Sequence, residues 1–236
     1  MKKRLTFTIL LVALLMLMPV QVGAACKHTY GKWTTDKAAT YFATGKKSRE
    51  CNKCGHVQTS TIPKKALVGT RKEIVTRIQV FLKATREYNL KKMDFCFSAA
   101  PKIWLPEPLR PIIKELNREY FSYKLINVKI TGKAKAEVQA IVYYPDCYWP
   151  FTYALTEYMN YVYAHPKAKS SAYMSVLAKS IQKQLRYYEI AKEKKTITFK
   201  LIKSGKYWKI AKAGIQIENL TMANYASAYD DFFAGY

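Results

Sequence analysis

Cys51-x-x-Cys54-Gly55 places two thiols three positions apart and follows them with glycine. Thiolates at that spacing hold one ion from a tight turn, and glycine permits the positive φ such a turn demands. Cys26-x-His28 offers a second pair, whose side chains fall on one face of an extended strand. Twenty-two residues separate the pairs, room for one hairpin with residues 32–37 and 46–50 as arms and Gly45 in its turn. The expected product is a Cys3His set of Cys26, His28, Cys51 and Cys54 that closes a β-ribbon around a structural zinc ion. Tyr30, Trp33 and Tyr41 are the bulky groups at hand to cover it. So small a core needs a staple, and the metal would supply folding energy. A disulfide from Cys26 to Cys51 or Cys54 is a rival use of the same thiols in an oxidising compartment. A redox role for Cys51-x-x-Cys54 is disfavoured, because that chemistry sets the motif at a helix start within a βαβ unit.

The surrounding chain says where such a module would work. Lys2, Lys3 and Arg4 precede an apolar run from Leu5 to Val20, and small residues at 22–25 supply a cleavage site. Residues 1–25 therefore read as a secretory signal, followed by a small module over 26–66 and a larger domain over 67–236. Three of the 40 Lys and Arg lie in the leader, which leaves 37 against 16 Asp and Glu, a net charge of about +21. An exported protein of this charge is not expected to meet nucleic acid. Anionic cell-wall polymers, acidic glycans or lipid headgroups are the natural partners, and a solvated lysine-rich surface is the bland alternative. Val22-Gly23-Ala24-Ala25-Cys26 resembles a permissive bacterial lipobox, with Gly23 where leucine is usual. Lipidation of Cys26 would tether the protein to a membrane; otherwise it is extracellular or wall-associated.

Residues 26–63 also resemble a short module of exported surface proteins of Clostridia-type bacteria. The residues that carry the resemblance are Cys26, His28, Tyr30, Trp33, Ala39-Thr40, Gly45, Arg49, Cys51, Cys54, Gly55 and the closing stretch 59–62. It implies a zinc-ribbon-like accessory module without catalytic function.

Downstream, Ile74, Ile78, Phe81, Leu82 and Tyr88 recur at helical spacing until Asn89. A short helix or turn ends at Cys96, prolines at 101, 106, 108 and 111 mark an irregular link, and a third helix covers 110–120. Strands are predicted over 123–131 and 134–144, then helices over 151–164 and 170–192 after an interruption at 145–150. A second hairpin turns at Ser204-Gly205, and a helix over 220–233 closes the chain. The fold class is α+β, a curved antiparallel sheet packed on helices with an inserted helical pair. The stretch 196–210 resembles the last hairpin of nuclear-transport-factor-2-like, or cystatin-like, domains, which implies a cone-like sheet wrapped on the first helix.

The chemistry in this domain is sparse. Asp146 and Glu157 with Tyr143 and Tyr144 are the candidates for acid–base work, and no nucleophile–base pairing is visible, so an enzyme is not expected. Cys96 and Cys147 are left over as a disulfide candidate, with two buried thiols as the alternative. Tyr148, Trp149 and Tyr153, with Asp146 nearby, form the densest aromatic stretch and the candidate ligand-binding residues, since flat rings stack on sugars. Oligomeric state is not legible.

Overall fold

The computed structural model describes residues 26–99 and 105–235. The expected leader over 1–25 and Pro101 of the irregular link fall outside them. The chain divides into two compact units, one of residues up to Ala38 and 45–63, the other of residues 39–44 and from Lys64 onward.

The first unit is a three-stranded antiparallel sheet, β1 (Thr34–Lys37), β2 (Gly45–Glu50) and β3 (Val57–Ile62), in that order. The hairpin expected between the ligand pairs is β1–β2. The third strand was not expected, because only the closing stretch 59–62 had been singled out and Val57 and Gln58 follow His56 without a turn signal. Its register pairs Gly45 with Ile62 and Glu50 with Val57. The pattern of this sheet is polar on both faces: Cys51 is the only buried side chain among the described residues of the unit. Such a sheet cannot hold itself together by apolar burial, which for a marginal three-stranded sheet is the usual source of stability.

In the second unit a long helix, α1 (Gly69–Arg86), is followed by α2 (Leu90–Phe95), a 3-10 turn (Glu107–Leu109) and α3 (Arg110–Tyr120). The first ends at Arg86 and the chain turns at Tyr88, whose φ is +46°; Asn89 caps the second, its side chain accepting from Lys92 N–H at 3.1 Å. A four-stranded antiparallel sheet follows in the order β4 (Ser122–Gly132), β5 (Lys135–Asp146), β6 (Ala191–Ser204), β7 (Tyr207–Ile210). Helices α4 (Tyr148–Ala164) and α5 (Ser170–Tyr187) are inserted between β5 and β6, and α6 (Ile215–Met222) and α7 (Tyr225–Ala234) end the chain. The architecture is α+β, with the sheet packed on helices.

Strict alternation splits the sheet into two faces. Ala136, Val138, Ala140, Val142 and Tyr144 of β5 are buried, opposite Ile197, Phe199 and Leu201 of β6. Onto this face α1 lays Ile74, Ile78, Phe81 and Leu82, all fully buried. Phe81 is the hub: its ring meets Phe97 edge-on at 5.3 Å and Phe199 at 5.8 Å. Asn117 of α3 is the buried polar tie, its Nδ2 donating to Thr85 O at 3.1 Å and Thr221 O at 2.9 Å.

Two details control the sheet's margins. The outer side of β7 is taken by the segment after α2, where Ile210 N–H donates to Cys96 O at 2.8 Å and Ser98 N–H to Ile210 O at 2.9 Å. At the other edge, β4 breaks register between Leu125 and Asn127 and again between Ile130 and Gly132.

Three expectations are corrected. Pro145 and Asp146 belong to β5 and do not interrupt it: Pro145 stands past the last β4 pair, Ser122–Tyr143, so no ladder bond is lost on that side. Pro150 likewise sits in the first turn of α4, where backbone N–H groups have no helical acceptor. Cys96 and Cys147 are free, buried thiols. Cys96 lies beside Ile210, which pairs with Leu201 and through it Ala136 near the start of β5, whereas Cys147 follows Asp146 at that strand's end. Ten residues of strand span about 33 Å, and a disulfide needs Cα atoms within about 7 Å.

Candidate metal centre and ligand cleft

The expected ligand set is assembled. One donor atom each from Cys26, His28, Cys51 and Cys54 lies within 4.8 Å of the others. The backbone explains how. Tyr30 bridges Cys51, with Asn52 N–H donating to Thr29 O and Gly31 N–H to Glu50 O, both at 2.9 Å, so the Cys26–His28 arm runs beside the entry to the turn. The turn itself closes by Gly55 N–H to Cys51 O and Cys51 N–H to His56 O, again at 2.9 Å. Lys53 N–H points at Cys51 Sγ at 3.4 Å, and Cys54 Sγ lies 3.3 Å from His28 Nδ1.

The donor chemistry fits a structural zinc ion. Bonds of about 2.3 Å to sulfur and about 2.0 Å to nitrogen require donors roughly 3.5–4 Å apart, so only a slight contraction of the set is needed. The thiols already behave as an unfinished site. Burial pushes Cys51 up, but the Lys53 N–H, His28 and the neighbouring backbone overcome it and bring the group down to about 5. Cys26 is pushed up to about 11, first by Cys54, then by burial and by Cys51. Three thiols gathered at one point cannot all ionise without a cation, and a dication removes that conflict.

The covering groups are partly those expected. His28 stacks on His56 at 4.8 Å and tilts against Tyr30 at 5.3 Å. The Arg49 guanidinium lies 4.6 Å from the ring centres of both Tyr30 and Trp33. Tyr41 takes no part: it belongs to the second unit, under Arg71. Gly55 has φ +71°, and a Cβ there would stand 3.4 Å from Glu50 Oε1. Gly55→Ala is therefore expected to cost roughly 1–2 kcal/mol in the folded turn and to weaken zinc binding about tenfold, read by competition with a chromophoric chelator.

The second region of interest is a cleft of about 330 Å³ at the far end of the large sheet, and it contains three of the four expected ligand-binding residues, Asp146, Tyr148 and Trp149. Asp146 ends β5, and Glu193 lies near the start of β6 opposite Tyr144. Asn224 sits at the break between α6 and α7, where Ala223 and Asn224 both have positive φ, 56° and 67°. Asparagine tolerates that conformation, and here it turns the side chain inward. Asn224 Nδ2 donates to Asp146 Oδ1 and to Glu193 Oε2, both at 2.7 Å. Tyr148 OH donates to Asp231 Oδ2 at 2.9 Å. Burial pushes the Glu193 carboxyl up, and hydrogen bonds from Asn224, Lys195 and Tyr144 bring it below its usual range. Trp149 opens onto an exposed wall, with Tyr153 at 6.2 Å and Tyr188 stacked on Tyr153 at 5.6 Å.

Glu193, Asn224, Asp231 and Tyr188 were missed from sequence. The cleft joins segments about 80 residues apart, and nothing local to Glu193 or Asp231 separates them from solvated acids. Glu157 stands elsewhere, held between α4 and α5 by Lys183 Nζ at 2.8 Å and Gln184 Nε2 at 2.7 Å. A larger groove of about 660 Å³ lies along α1, lined by Val80, Phe95, Tyr207 and Trp208 with Lys72 and Arg77.

No protein-family model matches the chain, and no curated protein matches it. Among solved structures, a Bacillus subtilis protein described as a "putative lipoprotein" aligns over 76% of this chain and 67% of its own, at 13% identity and a TM-score of 0.36. The likeness is too slight to assign a fold family or a function. No helix among the described residues is long and apolar enough to cross a membrane.

Proposed function

We propose that the chain is an exported, non-enzymatic surface protein in which a structural zinc ribbon accompanies an α+β domain that binds anionic cell-wall polymer. The observation that carries the binding half is the outward face of the large sheet. Lys124 and Lys129 of β4, Lys194 and Lys200 of β6 and Lys209 of β7 share it, and Glu137 is the acid set among them. Five cations on one exposed strand face make a field that a polyanion can lie along, and the net charge of about +21 that remains without the leader reinforces it at longer range. The zinc half rests on the Cys3His set and on the lack of any apolar core beneath the three-stranded sheet. Cys26, His28, Cys51 and Cys54 would hold the ion, which in a closed site supplies folding energy and no reaction.

In this reading the ribbon is the Clostridia-type surface module that residues 26–63 resemble, and the larger unit is nuclear-transport-factor-2-like or cystatin-like. Cys26 ligates zinc and is therefore not lipidated, and the leader over 1–25 releases the protein outside the cell. Co-sedimentation with purified Gram-positive cell walls, before and after chemical removal of their anionic polymer, tests the binding. Binding should fall at least tenfold between about 50 mM and about 500 mM salt as screening sets in, and the triple variant Lys124→Glu, Lys194→Glu, Lys200→Glu should abolish it. Binding that ignores both salt and removal of the polymer would sink the proposal.

A further inference from the structure

The cleft at the far end of the sheet contradicts the charge of the rest of the molecule. Asp146, Glu193 and Asp231 line it, and its one cation, Lys195, is already ion-paired with Glu193. A protein with 40 Lys and Arg has gathered an excess of carboxylate here and nothing to balance it. Apart from that pair, no Lys or Arg lines the cleft.

The aromatic wall shows the same contrast. Trp149, Tyr153 and Tyr188 are 59%, 45% and 38% exposed. Elsewhere the rings of Trp33, Tyr41, Phe95, Tyr120, Tyr143 and Tyr207 each carry a Lys or Arg of the chain over them, whereas the exposed Tyr163 and Tyr187 do not. Among the described residues, no such cation covers Trp149, Tyr153 or Tyr188. Trp149 and the outer side of the Tyr153–Tyr188 stack are thus left free of cations beside a carboxylate-lined floor.

A third observation is independent of both. Tyr144 is fully buried, and its hydroxyl has no hydrogen-bond partner of good geometry. It lies on the same sheet face as Asp146, two residues on, and Glu193, its cross-strand neighbour, and both raise it above the usual tyrosine range after burial itself. The hydroxyl therefore lies under the floor and faces Glu193, its one polar neighbour there, without a well-aligned bond.

We propose that this cleft binds a sugar chain bearing free amino groups. A pyranose face stacks on Trp149, the next ring of the chain continues over Tyr153 and Tyr188, and the ammonium meets Asp231 and Asp146. The volume of about 330 Å³ is at the small end of ligand sites, as suits one sugar with its chain continuing along the wall. A neutral sugar would stack equally well but leave the carboxylates unanswered, and an acidic sugar would be repelled. The site lies wholly in the second unit, so it stands or falls independently of the ribbon's metal and of the lysine face.

Isothermal titration of the purified protein with glucosamine oligomers, N-acetylglucosamine oligomers of the same length and glucose oligomers tests the assignment. Glucosamine oligomers should bind at least tenfold more tightly than either of the others. Trp149→Ala and Asp231→Asn should each weaken that binding about tenfold. Both positions are exposed, and circular dichroism should show both variants folded. Equal affinity for the free and acetylated oligomers, no binding of any, or wild-type affinity in both variants would overturn the proposal.

Discussion

Replacing Cys51 with serine is expected to abolish stoichiometric zinc and to unfold the ribbon while leaving the larger unit intact. Cys51 is 2% exposed, is the one buried side chain among the described residues of its unit, and receives the Lys53 N–H. With no apolar core among its described residues, the three-stranded sheet is expected to depend on the metal. Apparent binding energies for structural zinc at neutral pH run to about 10–16 kcal/mol, and in such modules that is folding energy. Native mass spectrometry should show the wild type with one zinc and Cys51→Ser with none. A strong chelator should produce the same state in the wild type. Amide exchange should then report loss of protection confined to β1–β3. Acid should act in the same direction, because protons compete with the ion for three thiolates and an imidazole. One zinc bound with no loss of ribbon protection on its removal would show that the metal is an accessory. An intact mass carrying a diacylglycerol on Cys26, or two hydrogens fewer for a disulfide, would show that the thiols serve another purpose.

The largest effect on the second unit is expected from Phe81→Ala. Phe81 is fully buried at the point where α1, the Phe97 segment and β6 meet. Truncating a buried phenylalanine costs about 3–5 kcal/mol, because the transfer loss is joined by a cavity that the surroundings fill only in part. In a unit of this size that corresponds to a fall in melting temperature on the order of 10 °C. Phe81→Leu, which keeps most of the volume, should cost less than half as much. Calorimetry of the two variants checks the pair. Similar losses in both would place the energy in ring–ring geometry and not in filled volume.

What the sequence revealed follows from how local each signal is. The Cys3His set was legible because spacing alone puts Cys51 and Cys54 in one turn and Cys26 and His28 on one strand face. The helix over 69–86 was legible because Ile74, Ile78, Phe81 and Leu82 mark one stripe, and β5 because Ala136 to Tyr144 alternate. Pro145 misled because the rule that bars proline from central strands assumes neighbours on both sides, and β4 has already ended there. Cys96 and Cys147 misled because counting thiols carries no distance. The terminal helix, expected as one piece over 220–233, is two, since Ala223 and Asn224 both adopt positive φ, which asparagine permits but alanine gives no sign of. The acidic cleft was half legible: Asp146, Tyr148 and Trp149 are adjacent in sequence, while Glu193, Asn224 and Asp231 reach them only through the β5–β6 pairing and that break.

The margins of the large sheet have a consequence for a molecule that accumulates on a surface. A protein concentrated along a polymer is held near many copies of itself, and an open strand would invite them to add edge to edge. Here β7 has its outer carbonyl and amide at Ile210 already taken by Cys96 and Ser98. On the other side β4 is twice broken in register and presents Lys124 and Lys129. Neither margin offers a flat, unpaired template, so crowding should not seed fibrous stacking through this sheet.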